Sequence, residues 1–408
     1  MNVVITKERR FQLGSDGNIY TDNESASGYK FFQRYLDVFD SVTIVGRLQT
    51  ELTTGNAIVT GPNVNFMPIP YYLGPTEYLL KSFEIDKVFD SIIEKNLNTS
   101  AFIARCPSKL GSILIKKLQK AGHPFGMEVV GDPYDVFAPG AIKHPLRPIF
   151  RKWFPRSLRR LCQKATAVAY VTEYSLQRRY PPSPGAFNTH YSSIYLEPSA
   201  FVKQPRIAWE TDRPYELICV GTLAQLYKAP DVLIKAVGVC QRNGLDVHLT
   251  IVGDGMYRAE LEKLVSSLGI NKQVRFLGQL KSGDPVRNEL DKADLFVLPS
   301  KGEGLPRAMI EAMARGLPCI GTSASGIPEL LDDCDMVEAG NVEALALKIG
   351  EVISNPSRMA EMSERNLIKS QKYLNEALQK RRIDFFSEVR KKTEEFQRKS
   401  SLQNNDIK

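Results

Sequence analysis

Short apolar runs alternate along the chain with segments of helical period, and they do so in two series. In the first, NVVIT (2–6), SVTIVG (41–46), NVNFMPI (63–69), SAFIARC (100–106), FGMEVVG (125–131) and AVAYVTE (167–173) predict strands. Helices are expected between them, one opening near Gly28 and another over Lys109 to Ala121. Runs apolar on successive residues belong to strands buried on both faces, and spacing by helices implies parallel pairing in a doubly wound α/β sheet. Between Tyr195 and Pro214 neither period holds and prolines interrupt the chain, as in a hinge. A second series follows: ELICVG (216–221), HLTIVGDG (248–255), VRFLG (274–278), DLFVLP (294–299) and PCIGT (318–322), with helices such as Asp231 to Arg242 and Met256 to Leu268. The expected organisation is a domain over 1–195, a hinge over 196–214, a second domain over 215–356, a helical region over 357–398 and a frayed tail over 399–408. Parallel sheets take ligands at the carboxyl ends of their strands, so the cleft between two such domains is the expected site.

Composition narrows the function classes. With 43% hydrophobic and 25% charged residues in 408, the chain has ordinary globular usage, which excludes disorder, collagen and small disulfide scaffolds. The six cysteines lie far apart without a CxxC pair, and the four histidines show no ligand spacing, so reduced core cysteines and no zinc site are expected. The opening MNVVITKERR predicts a five-residue strand cut off by charges, without the apolar stretch or cleavage site of a signal peptide. No window approaches the roughly 18 apolar residues of a spanning helix. The expected location is therefore cytoplasmic, with any membrane contact peripheral.

The net charge of +8 is concentrated in one place. Between Asp135 and Glu173 there is no acidic residue, while Lys143, Arg147, Arg151, Lys152, Arg156, Arg159, Arg160 and Lys164 supply eight positive charges and leave the rest of the chain neutral. Pro155 is expected to open a helix with Arg156, Arg159, Arg160 and Lys164 on one face, and Trp153 stands just before it. Two readings stand. The patch is either a peripheral contact with an anionic membrane surface, or the solvated face of a packed helix. Nucleic acid is disfavoured, because no recognised binding motif accompanies the patch.

Candidate chemistry gathers in ADLFVLPSKGEGLPRAMIEAMARGLPCIGTSASGIPEL (293–330). Glu303 lies in the loop at a strand's carboxyl end. Glu311 follows about two turns into a helix whose apolar face is Met309, Ala312 and Met313, and it points nearly opposite to that face. So placed, Glu311 suits the paired hydroxyls of a ribose and Glu303 those of a second sugar, together a nucleotide sugar. The helix start near Gly304, Leu305 and Pro306 offers free N–H groups to a diphosphate or sugar oxygen. The bland alternative for Glu311 is an ion-pair ladder with Arg307 and Arg315 on a solvated face.

These residues resemble the retaining glycosyltransferases of family 4, whose GT-B fold sets two Rossmann-like domains face to face. The resemblance rests on Glu303-Gly304-Leu305-Pro306, Glu311-Ala312-Met313-Ala314, Gly316, Pro318, Gly326 and Glu329, then on Val220-Gly221-Thr222-Leu223 with Lys228 and on Val252-Gly253-Asp254-Gly255. It covers the second domain and extends to the first only in layout. It implies a donor site of Gly221, Thr222, Lys228, Gly253, Gly304, Leu305 and Glu311. Lys228 would be on the diphosphate, Glu311 on the ribose and Glu303 on the transferred sugar, with no metal and no cofactor besides the nucleotide-sugar donor. A point charge such as Lys228 suits a phosphate leaving group. Where the family usually has an arginine six residues before the lysine this chain has Thr222, and where it has a glycine after the lysine this chain has Ala229. The histidine that many members place after the fifth strand is missing. The nearest residue is Asp132, for which two roles stand: orienting the sugar or acceptor, or capping a Gly-Asp-Pro turn. Gly28 with Tyr29, at a helix opening, and Arg105, at a strand end, are further candidates for acceptor or diphosphate.

The implied function is transfer of a sugar from a nucleoside diphosphate sugar to a hydroxyl, with closure about the hinge excluding water. If the basic helix meets a membrane, the acceptor would be a lipid-linked saccharide of a growing surface polysaccharide. The rivals are a two-domain nucleotide-sugar epimerase and an inactive peripheral scaffold that keeps the fold.

Overall fold

The first series of apolar runs forms one nine-stranded sheet in a computed structural model that describes residues 1–22, 24–50, 57–139, 144–210 and 212–405. Its strands are β1 (Asn2–Leu13), β2 (Ile19–Thr21), β3 (Ser41–Gln49), β4 (Ala57–Ile58), β5 (Val64–Pro70), β6 (Ser100–Cys106), β7 (Gly126–Val129), β8 (Ala167–Tyr170) and β9 (Phe187–His190). The parallel strands lie in the order β5-β3-β1-β6-β7-β8-β9, while β2 and β4 add an antiparallel extension to β1. β1 is longer than its sequence predicts. Charges at Lys7 to Arg10 suggested a stop, but the strand passes through a register shift between Lys7 and Arg10 and continues along the end of β3 to Leu13. The short β2, β4 and β9 carry no apolar run, which is why their pattern did not announce them.

The second series builds a six-stranded parallel sheet from β10 (Tyr215–Val220), β11 (Val247–Val252), β12 (Val274–Gly278), β13 (Leu295–Val297), β14 (Cys319–Thr322) and β15 (Met336–Val337). Its order is β12-β11-β10-β13-β14-β15, so the direction of winding reverses between β10 and β13. At such a reversal the helices leaving the two strands go to opposite faces, and a crevice opens at the carboxyl ends. Leu217, Ile218, Leu295, Phe296 and Val297 are fully buried, as strands covered on both faces require.

The chain divides into two compact units, each built from separate stretches: unit 1 from Met1–Gly131, Arg156–Ser193 and Leu378–Lys408, and unit 2 from Asp132–Pro155 and Ile194–Ala377. The helical region predicted over 357–398 is two helices, Pro356–Ser370 and Asn375–Asn405, and the second runs beyond Arg398. It returns to unit 1, where Phe386 stacks on Tyr35 with ring centroids 4.4 Å apart.

Pro155 does not open a helix. It lies inside Arg147–Cys162, whose earlier turns are anchored by stacking of Phe137 on Phe154 and edge contacts of both with Phe150. On this helix Trp153 is 58% exposed, and Arg156, Arg159 and Arg160 are exposed, as is Lys164 just after it. Lys143, Thr211 of the hinge and residues 406–408 of the tail lie outside the described residues. No helix among the described residues is long and apolar enough to cross a membrane.

Candidate active site

The carboxyl ends of β10 and β13 deliver the candidate residues of unit 2 to one place. From β10 the chain passes Gly221 and Thr222 into a short turn, Leu226–Lys228. From β13 it passes Ser300 and Glu303 into the helix Arg307–Ala314. Lys228 Nζ donates to Glu303 Oε1 at 2.6 Å, and Ser300 Oγ donates to the same oxygen at 2.8 Å. Both charged side chains are nearly buried, at 13% and 9% exposure. Burial opposes the charge on Lys228, but the Glu303 carboxylate, with Tyr227 adding to it, outweighs burial and holds the ammonium above lysine's usual pKa. Lys228 is thus a fixed, oriented cation.

Glycine makes this packing possible. A Cβ at Gly221 would lie 2.2 Å from Lys228 Cδ, so only a bare backbone lets the lysine cross the strand end. Gly253, at φ +139, backs onto the Gly221 carbonyl, where a Cβ would come within 1.9 Å. Ala229 sits in the left-handed region, at φ 51 and ψ 45, the conformation that suits glycine. Thr222 is exposed, and its Oγ1 accepts from the Ala224 N–H at 3.2 Å.

Glu311 is half-buried, and among the described residues no hydrogen bond or ion pair engages its carboxylate. The ladder that would have explained it is not made, because Arg315 turns away to Asp291, at 2.7 and 2.8 Å, and to the Ala200 carbonyl. Burial raises the Glu311 pKa, opposed by Arg307 and Arg287. Gly304 and the buried Leu305 stand between the two glutamates, held by Gly326, whose absent Cβ would lie 2.0 Å from the Gly304 carbonyl oxygen.

Asp132 belongs to unit 2 and is 5% exposed. Its Oδ1 accepts from the Tyr134 N–H at 2.8 Å, capping the short helix Pro133–Val136, which is the turn-capping geometry. Three residues on, Asp135 reaches the loop beside Glu303. Ser325 Oγ donates to its Oδ2, and its Cβ occupies the space a side chain at Gly302 would need. Sequence reasoning passed over Asp135, since nothing in its spacing ties it to Gly302 or Ser325.

The remaining candidates lie in unit 1. Gly28 precedes a helix of five residues, Tyr29–Gln33, and the Tyr29 hydroxyl donates to the Pro62 carbonyl at 3.0 Å. Arg105 is 7% exposed and paired with Glu128.

Residues 203–368 match the family described as glycosyl transferases group 1. Protein CapJ of Staphylococcus aureus is 24% identical over 361 residues, covering 87% of this chain and 88% of that protein. The lipopolysaccharide core biosynthesis glycosyltransferase LpsE of Rhizobium meliloti is 33% identical over 122 residues, 29% of this chain and 35% of that one. Among solved structures, sucrose-phosphate synthase from Thermosynechococcus elongatus superposes with a TM-score of 0.72 at 15% identity, covering 95% of this chain and 99% of the other. Anabaena HepE in complex with UDP-glucose gives 0.65 at 14% identity, covering 94% and 98%. The fold is therefore GT-B.

Proposed function

We propose that this chain, whose residues 203–368 match the family described as glycosyl transferases group 1, moves a sugar from a nucleoside diphosphate sugar to an acceptor hydroxyl with retention at the anomeric carbon. The observation that carries this reading is the half-buried Glu311 carboxylate without a partner among the described residues, on the helix that follows Glu303, which itself holds the cation Lys228. A carboxylate left desolvated and unpaired is stabilised by hydroxyl donors arriving with a ligand, and a ribose supplies two. Glu303 would accept from hydroxyls of the transferred sugar. Lys228 and the N–H groups at the start of Arg307–Ala314 would take the charge that grows on the diphosphate as the glycosidic bond breaks. Front-face attack by the acceptor through an oxocarbenium-like transition state, its hydroxyl proton passing to the departing diphosphate oxygen, then needs stabilisation of the leaving group above all, and Lys228, held in place by Glu303, supplies it without reorganising. This is a metal-independent scheme. That HepE was solved with UDP-glucose supports a nucleotide-sugar donor.

A role in surface polysaccharide assembly is supported by the likeness to LpsE. A peripheral contact with an anionic membrane, bringing a lipid-linked saccharide acceptor within reach, is supported by the exposed Leu146, Ile149 and Trp153 beside the basic residues of the same segment. The direct test of the donor site is a thermal-shift panel of UDP-, GDP-, ADP- and TDP-sugars. Stabilisation by one nucleotide class that disappears in Glu311→Ala is the expected result, and no shift from any of them with the protein folded would contradict the reading.

A further inference from the structure

At the carboxyl ends of β6, β7 and β8, the described residues of unit 1 gather Arg105, Glu128 and Arg382, all buried, with the half-buried Arg34 beside them. Glu128, on β7 and 2% exposed, accepts from the Tyr35 hydroxyl at 3.0 Å and the Tyr191 hydroxyl at 2.7 Å, and it pairs with Arg105. Its carboxylate is fully engaged. Arg382, 0% exposed, donates to Gln379 Oε1 and to the Ser192 carbonyl, both at 3.0 Å and both neutral. Arg34 has no such partners. Its guanidinium lies 4.3 Å from the centroid of the Phe31 ring, its Nε is shut off from solvent and meets no hydrogen-bond acceptor, and no carboxylate pairs with it among the described residues. Asp37, three residues on, is exposed and takes its hydrogen bond from Gln379. Lys7 and Arg105 approach the same Phe31 ring, at 4.2 and 5.0 Å, so three cations crowd one aromatic side chain.

Burial, then the repulsion of Arg382 and Arg105, pushes the Arg34 pKa well below arginine's usual value. A narrow crevice lined by Arg34, Arg105, Glu128, Tyr170, Tyr191 and Ser193, with room for about one water-sized group such as a single oxyanion oxygen, lies beside it. A guanidinium presents parallel N–H donors matched to the two oxygens of a carboxylate or phosphate, and a half-buried one whose Nε is shut off from water and unpaired gains from such a ligand.

We propose that Arg34, flanked by Arg105, is an oxyanion site of unit 1 that takes the carboxylate or phosphate group of a small ligand. Under the transferase reading that group belongs to the acceptor, which is then an acidic or phosphorylated saccharide; this extension rests on that reading, while the site stands on unit 1 alone.

The test uses the full chain at fixed ionic strength, titrated with inorganic phosphate, glucuronate and neutral methyl glucoside, and followed by calorimetry and melting temperature. Phosphate or glucuronate should bind and stabilise while methyl glucoside does not, and the anion that responds tells a phosphorylated ligand from a uronic acid. Arg34→Gln should weaken that binding at least tenfold, Arg34→Lys should retain part of it, and unliganded Arg34→Gln should melt at or above the native temperature because one crowded cation is gone. Three results would overturn the proposal: no response of the native chain to either anion, an equal response in Arg34→Gln, or unliganded Arg34→Gln melting well below native. The nucleotide-sugar response, measured on the same samples, separates the two sites. It should persist in Arg34→Gln, and its absence from the native chain would count against the donor reading and leave the anion result intact.

Discussion

Glu311 lies where its charge works against folding. Its folded-state pKa is raised by burial, so in the window between the ordinary carboxyl value of 4.5 and the raised value the native state binds more protons than the unfolded chain. Stability therefore falls as pH rises through that window. Glu311→Gln should accordingly be more stable than native at neutral pH, with the gain shrinking as pH drops through that window and gone below the ordinary value, a trend read from melting temperature against pH. The same variant should bind nucleotide more weakly. Lys228 behaves oppositely, since its removal strands Glu303 in a nearly closed site. Lys228→Met should cost about 3 kcal/mol in denaturant unfolding, and the double variant with Glu303→Gln should recover most of it. Ala229→Gly should gain roughly 0.5 kcal/mol, because relief of the left-handed strain exceeds the added freedom of the unfolded chain. The strand end that Glu303 and Glu311 leave was legible in the sequence, because their spacing after one apolar run fixes it, whereas Lys228 came only with the family resemblance. The Lys228–Glu303 contact was not legible, for it joins residues 75 apart through the order of β10 and β13.

At the scale of elements, the loops after β10, β11 and β14 include backbone approaches that leave no room for a Cβ. Gly326→Ala would set a Cβ within 2.0 Å of the Gly304 oxygen, so the loop carrying Glu303 must shift. The expected outcome is loss of nucleotide-dependent stabilisation at a melting temperature still well above assay conditions, and unchanged nucleotide binding would contradict it. The eleven apolar runs of the sequence all became strands, because a strand buried on both faces leaves no alternative reading of its pattern. Where polar residues carried the element, pattern failed. β1 runs on through Lys7 to Arg10 because β3 pairs with it there, and the helix at Arg147 begins before Pro155 because three phenylalanines pack its early turns. Neither cause is local.

At the scale of the whole molecule, each unit borrows from a distant stretch of chain. Unit 1 takes the last helix, where Val389 fills the space left by Gly126, and unit 2 takes Asp132–Pro155, which sets Asp135 against Gly302. Periodicity shows that a helix has an apolar face, but not which sheet that face will meet, so these exchanges were not legible. The concentration of charge was legible, since it needs only counting. Replacing Arg156, Arg159 and Arg160 with glutamate should abolish sedimentation with vesicles rich in anionic lipid, and unchanged sedimentation would refute the membrane contact. The central claim, that Glu311 holds the ribose of a nucleoside diphosphate sugar, is tested most directly by calorimetric affinities of the responding nucleoside diphosphate and its 2′,3′-dideoxy analogue for the native chain and for Glu311→Ala. The native chain should favour the ribonucleotide by at least tenfold and the variant should bind both alike. An equal preference in the two proteins would contradict the account.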